Sequence, residues 1–160
     1  MNRLILARHA KSCLNNNNLD FERPLSKQGR LDASKVGQYL YKNNYIPQSI
    51  ISSSSFRTLE TSELLMNELK YNNHFDKIDE IYEASNKVII NIIRKINKNY
   101  KSVMLVGHNP SLTNVTNMLS NVKINHLPSG GAIILDFDSD WSAVKENGKL
   151  IEFINPRKIN

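Results

Sequence analysis

The sequence predicts an α/β protein, a three-layer α/β/α sandwich built on a mostly parallel central sheet. Three observations predict it. Short apolar runs at residues 4–7, 49–52 and 102–107 read as buried strands, and segments with apolar residues at helical spacing separate them. The run Ser102-Val103-Met104-Leu105-Val106-Gly107 is apolar without alternation, the pattern of a central strand covered on both faces. Strands that alternate with helices connect in parallel and place helices on both sides of the sheet.

Each element has a local reason. Leu4-Ile5-Leu6-Ala7 is bounded by polar residues and reads as a strand ending at Arg8-His9. A loop follows, and the asparagine run 15–18 within it cannot bury a core and carries no assigned chemistry. Ser26, after Pro24-Leu25, reads as the N-cap of a helix whose inner face carries Ala33, Val36, Gly37 and Leu40 and which should end near Asn43-Asn44. Ser49-Ile50-Ile51-Ser52 is a second strand, followed by a helix starting near Arg57 with Leu59, Leu65 and Leu69 as its inner stripe. Ile89, Ile92, Ile93 and Ile96 repeat the helical spacing more cleanly. After the central strand, Asn109 as N-cap and Pro110 at the first helical position start a helix with Leu112, Val115 and Leu119 inside. Gly130-Gly131 punctuates the chain before a strand at residues 132–137. A last strand at residues 150–154 alternates only partly, as an edge or near-edge member does. No repeat or linker interrupts the pattern, so residues 1–160 are expected to form one domain.

Composition narrows the chemistry. Hydrophobic residues make up 40% and charged residues 22%, which excludes disordered, collagen-like and coiled-coil classes. No apolar run reaches the roughly 20 residues of a membrane span, and the N-terminal apolar stretch is too short for a signal peptide; the expectation is a cytoplasmic protein with no membrane partner. Cys13 is the only cysteine, so an internal disulfide and a cysteine-based metal cluster are both ruled out. A cysteine-dependent phosphatase is disfavoured too, because Leu19 stands where an arginine six residues on would be needed. The net charge of +6 and pI near 9.4 favour anionic partners without choosing among them.

In open α/β sheets the ligand site lies beyond the carboxyl ends of the strands, near a switch in strand order. His9 follows the first strand and His108 follows the central strand, so both can converge on one crevice. Arg8 accompanies His9, and Arg57 starts the helix after the second strand. Two arginines and two histidines suit phosphate, because a guanidinium presents a rigid fork of donors to its oxygens. A neutral imidazole can also attack phosphorus and divide one displacement into two. Its other ring nitrogen should then donate to an acceptor that fixes the tautomer. Taken singly, a histidine at a strand end is more often structural. A zinc site is the competing chemistry, but neither histidine has a partner at the usual close spacing. His74, in a polar stretch, and His126, before Leu127-Pro128, read as loop residues.

The segment Leu6-Ala7-Arg8-His9-Ala10-Lys11-Ser12 resembles the Arg-His-Gly signature of the histidine phosphatase superfamily, with Ala10 in place of Gly. Asp20-Phe21-Glu22-Arg23-Pro24-Leu25-Ser26 with Gly29 and Asp32-Ala33 is similar to the SixA-like phosphohistidine phosphatases in particular. So are residues 54–61 and Val106-Gly107-His108-Asn109-Pro110-Ser111-Leu112, and the matches run in order from residue 4 to about residue 120. The resemblance implies the histidine phosphatase, phosphoglycerate mutase-like fold, with His9 as nucleophile and Arg8, Arg57 and His108 around the phosphate. It also implies a carboxylate acid near mid-chain, for which Glu83 stands at the matching place; Glu80 or no dedicated acid are the alternatives, and a carboxylate before a helix can equally serve the helix dipole. Ser12 either faces the phosphate or caps its loop. Arg23 reads as the ion-pair partner of Asp20 or Asp32.

Three functions compete at this stage. The first is a metal-independent, cofactor-free phosphatase acting on phosphohistidine of a protein, for which the short chain leaves little room for a lid over a small substrate. The second keeps the mechanism but acts on a small phosphate ester or nucleotide. The third is a nucleic-acid-binding module using Lys87, Arg94, Lys95, Lys98 and Lys101, disfavoured because only Tyr100 could stack on a base. No nucleic-acid partner is therefore expected; phosphate is the expected product, and a monomer the expected state.

Overall fold

The structure, a computed structural model, describes residues 1–14 and 19–160; the asparagine run at 15–18 lies outside the described residues. The strands are β1 (Asn2–Arg8), β2 (Ser49–Ser52), β3 (His74–Lys77), β4 (Ser102–Gly107), β5 (Ala132–Phe137) and β6 (Lys149–Ile154). Among the described residues they form one sheet in the order β3-β2-β4-β1-β5-β6. Neighbours are parallel from β3 to β1, whereas β5 runs antiparallel to both β1 and β6. The sheet is thus mostly parallel, as expected, with one reversed strand.

Among the described residues four helices cover it: α1 (Lys27–Lys42), α2 (Phe56–Glu68), α3 (Asn86–Arg94) and α4 (Ser111–Leu119). Ser26, Ser55 and Ser85 each cap a helix by accepting a backbone N–H three residues on. Side chains alternate across a strand, so β1 sends Ile5 and Ala7 to the face covered by Val36 and Leu40 of α1 and Leu65 of α2. Leu4 and Leu6 go to the other face, against Ile89, Ile90 and Ile93 of α3 and Leu112, Val115 and Leu119 of α4. Both faces of β1 and β4 are dry, which is why their runs show no alternation. The result is the three-layer α/β/α sandwich.

Several local expectations change. β3 is an edge strand that the polar sequence concealed, and His74 opens it rather than lying in a loop. Helix α4 begins at Ser111, after a cis Asn109-Pro110 peptide, so Asn109 is not its N-cap; the Asn109 side-chain oxygen instead accepts from Thr113 N at 3.2 Å and Thr113 Oγ1 at 3.0 Å. Ile90 joins Ile89 and Ile93 as buried in α3, while Ile92 and Ile96 are partly buried against the same core. The buried stripe of α2 is largely polar, comprising Arg57, Thr58, Thr61, Ser62 and Leu65, while Leu59 is only half-buried. Polar loops at the sheet's carboxyl edge are what that face meets: Thr58 Oγ1 donates to Ser53 O at 2.9 Å, and Ser62 Oγ to Ser52 Oγ at 3.0 Å. Arg94 donates through Nε and Nη2 to Val144 O at 3.1 and 2.9 Å, tying α3 to the turn after β5.

Candidate active site

Strand register places the candidate residues before any side chain is considered. Arg8 pairs with Gly107 and Ser52 with Val106, so the chain leaves β1, β4 and β2 at one level. His9, His108 and Ser53 therefore emerge side by side at the carboxyl edge of the parallel strands. Residues 120–131 carry the chain from the end of α4 back to this edge before β5 starts opposite Ala7. That return brings His126, Leu127 and Gly130 to the site and explains the reversed strand.

The His9 backbone is fixed from two sides. Its N–H donates to Gly107 O at 3.1 Å, and its carbonyl accepts from Gly130 N at 2.9 Å. Gly130 adopts φ 74°, where a side chain would be strained. Ala10 N donates to Thr61 Oγ1 at 3.0 Å, and Lys11 O accepts from Ser26 N at 2.9 Å, so the loop after His9 rests on the cap of α1 and on the second turn of α2. Gly29 permits this approach, because a Cβ there would lie 2.1 Å from Lys11 O.

The side chains converge as the sequence implied. The His9 and His108 rings lie 5.4 Å apart, centroid to centroid, and each residue is 8% exposed. His9 Nδ1 lies 2.8 Å from Ala10 O. A carbonyl only accepts, so Nδ1 carries the proton and Nε2 keeps its lone pair. His108 Nε2 shares a hydrogen bond of 2.8 Å with Ser53 Oγ. Arg8 donates through Nη1 to Leu127 O at 3.0 Å and to His126 Nε2 at 3.1 Å. Arg57 donates through Nη1 to Asp20 O at 2.7 Å and through Nη2 to Asp20 Oδ2 at 3.1 Å. The Nε of Arg8 and the Nε of Arg57 are buried with no hydrogen-bond partner among the described residues. Arg8 and Arg57 both line the opening above His9 and His108, and two guanidinium forks at one opening suit an anion.

Electrostatics keeps both imidazoles neutral. Burial pushes His9 down to about 4, helped by the nearby Arg57, Arg8 and Arg23 charges and opposed by the Ala10 hydrogen bond. His108 is pushed down to about 3, first by burial, then by His9 and the arginines, with Asp20 acting the other way. Burial and the Arg57 charge also lower Arg8. The Tyr82 hydrogen bond, followed by the Arg57 and Arg23 charges, holds Asp20 at about 2, so its carboxylate is ionised. An uncharged imidazole with a free lone pair beside two cationic forks can attack an electrophile that carries negative charge.

The open depression over these groups is lined by Arg8, His9, Arg57 and His108, and also by Lys11, Ser12, Arg23 and Asn109. Ser12 is half-buried at its wall and bridges to Leu25. Arg23 pairs with Asp20 at 3.0 Å, as read from the sequence, and not with Asp32, which accepts from Gln28. Glu83 is not brought in: it is exposed at φ 55°, outside the lining of the depression. Ile81 is buried in the core and Tyr82 turns to the site, so the next side chain faces solvent. Tyr82 stands edge-on to His108 at 5.6 Å and donates to Asp20 Oδ2 at 2.5 Å. Sequence reasoning missed Tyr82, Ser53 and Thr61, and it dismissed His126. The one available signal was the Ser/Thr-rich stretch from Ser52 to Ser62, too polar for a helix buried against a sheet.

Comparisons with known proteins agree with this geometry. Residues 4–86 match the histidine phosphatase superfamily, branch 1. An uncharacterized chloroplastic protein of Arabidopsis thaliana is 34% identical over 151 residues, spanning 87% of this chain and 68% of that protein. A crystal structure from Agrobacterium tumefaciens, provisionally named phosphohistidine phosphatase SixA, is 26% identical with a TM-score of 0.84, covering 97% of this chain and 98% of that one. The protein histidine phosphatase SixA complexed with tungstate shares the fold at a TM-score of 0.87 and 16% identity, over 99% of both chains. With the family match spanning more than half the chain and the fold shared end to end, this protein belongs to the histidine phosphatase superfamily as a SixA-like member.

Proposed function

We propose that this phosphatase removes the phosphoryl group from a phosphohistidine carried by a protein partner, with His9 as the nucleophile. The observation that carries the reading is one depression lined by the Arg8 and Arg57 guanidiniums and by a neutral His9 whose tautomer the Ala10 carbonyl fixes. His9 Nε2 adds to phosphorus while the phosphorus–nitrogen bond of the substrate breaks, its electron pair staying on the departing imidazole, which takes a proton from water. Water then adds to the phosphorus on His9, one of its protons passes to solvent, and His9 departs neutral as hydrogen phosphate is released. Arg8 and Arg57 hold the phosphoryl oxygens throughout and meet the charge that a metal would otherwise neutralise. Neutral His108 completes the pocket, and Ser12 contributes a hydroxyl at its wall.

Two features support a phosphorus–nitrogen substrate. The similar Agrobacterium tumefaciens protein, at 26% identity, carries a name that points to phosphohistidine. Asp20, the carboxylate touching the cluster, is held ionised and has no proton for a departing alkoxide, whereas an imidazole leaving group needs less acid assistance. The test is release of phosphate from a phosphohistidine-bearing protein and from p-nitrophenyl phosphate, with chelator present, by wild type and His9→Ala. Preference for the phosphoprotein, lost in the variant, supports the reading. Activity on the ester alone replaces the substrate with a small phosphate ester, and full activity in His9→Ala overturns the nucleophile.

A further inference from the structure

We infer that Asp20 is the positioning residue of the phosphate site, the group that aims Arg57 at the phosphoryl oxygens and keeps Tyr82 against His108. The inference rests on the proposed phosphate chemistry but not on which phosphorylated substrate is used.

Asp20 sits in a 3-10 turn (Asp20–Glu22) laid over the start of α2. Its carboxylate and carbonyl gather donors from three residues. Arg57 donates to the carbonyl through Nη1 at 2.7 Å and to Oδ2 through Nη2 at 3.1 Å. Tyr82 donates its hydroxyl to the same Oδ2 at 2.5 Å. Arg23 holds Oδ1 through Nε at 3.2 Å and Nη2 at 3.0 Å. A guanidinium is a rigid planar fork, so fixing both terminal nitrogens of Arg57 also fixes the plane of the group and the direction of its remaining N–H bonds. Arg57 so held lines the depression with His9 and His108. Arg57 is 6% exposed, and Asp20 is the carboxylate paired with it. The same carboxylate holds the Tyr82 ring, with its centroid 5.9 Å from Arg57 Cζ and edge-on to His108.

Asp20 acts through its neighbours and not on the phosphoryl group. Its oxygens are already occupied by donors, and as an anion it can neither protonate a leaving group nor attract phosphate. Its side chain is 52% exposed, outside the core, so its replacement removes the carboxylate contacts to Arg57, Tyr82 and Arg23, leaving only the carbonyl contact to Arg57, without opening a cavity.

The test combines Asp20→Ala and Asp20→Asn with Arg57→Ala, singly and doubly, reading hydrolysis of p-nitrophenyl phosphate and competitive inhibition by orthophosphate. Asp20→Ala should lower kcat/KM and weaken orthophosphate inhibition by about tenfold each, as expected for losing one charged hydrogen-bonded contact, with the unfolding midpoint little changed. In the Arg57→Ala background the same substitution should change kcat/KM by less than about twofold, because its effect passes through Arg57. Asp20→Asn, which keeps an acceptor oxygen, should recover part of the loss; if Asp20→Ala does not fold, the asparagine variant alone carries the comparison. Equal losses in both backgrounds, or no loss, overturn the inference. Tighter orthophosphate binding in Asp20→Ala also overturns it, since Asp20 would then be a competitor for Arg57. If wild type fails to bind orthophosphate, the phosphate-site reading falls and takes this inference with it. Turnover retained by His9→Ala overturns only the nucleophile, leaving the Asp20–Arg57 coupling to be read from inhibition.

Discussion

Acid should destabilise this protein through His9 and His108, and the size of the effect follows from their burial. In the folded chain His9 takes up a proton only near pH 4 and His108 only near pH 3, against an ordinary value of about 6.5 in the unfolded chain. Between those limits unfolding binds protons, so lowering the pH favours the unfolded state, and stability is regained as pH rises toward and past 6.5. Going from pH 7 to pH 5, each histidine should remove about 2 kcal/mol of unfolding free energy, at nearly 1.4 kcal/mol per pH unit once the unfolded chain is protonated. The assay is urea denaturation in phosphate-free buffer at pH 7 and pH 5, for wild type, His9→Asn and His108→Asn. Each variant should lose about 2 kcal/mol less than wild type between the two pH values, whatever its absolute stability. Equal losses in all three proteins would refute the claim that these imidazoles are buried and neutral.

Other substitutions test the site and its scaffold. Arg57→Ala should reduce kcat about 10²–10³-fold, the scale of removing one preorganised donor to developing charge, measured on p-nitrophenyl phosphate; a rate within a few-fold of wild type would remove Arg57 from the phosphoryl site. Glu83→Gln should leave kcat on the phosphoprotein within about threefold, since the carboxylate lies in solvent and a general acid is worth about 10²-fold or more; a hundredfold loss would restore it as proton donor. Gly29→Ala should cost about 1–3 kcal/mol of stability, because its methyl must displace the Lys11 carbonyl, and should depress activity as the loop after His9 shifts; unchanged urea midpoints and rates would show that the loop can yield freely.

Much of this arrangement was legible in the sequence, for physical reasons that also explain the gaps. The buried strands announced themselves because both faces of β1 and β4 exclude water, and Arg8, His9 and His108 followed because they adjoin strand ends. Arg57 was reachable because it lies a few residues beyond β2, at the start of its helix. Edge strand β3 was hidden because solvent bathes most of it, leaving no apolar pattern to read. The direction of β5 was hidden too, since it depends on residues 120–131 retracing the length of α4 without regular structure. His126 looked idle for that reason and lies against Arg8. Tyr82 and Glu83 exchanged places relative to expectation because one residue of left-handed backbone decides which side chain faces inward.

The insertion of β4 between β1 and β2 has a consequence for how the protein is made. Without β4, the first two strands would stand apart by about twice the 4.8 Å spacing of neighbours and could not pair with each other. The chain up to residue 101 can therefore hold helices and hydrophobic contacts but not the finished sheet, and His9 lacks the Gly107 carbonyl that pins its backbone. During synthesis His9 exists long before its pocket does, and closure waits for residues 102–107 to join the sheet between β1 and β2. Pairings of such long sequence separation form slowly, so the rate-limiting event in refolding should be the docking of this one strand, with catalytic competence appearing at the same moment as the native sheet.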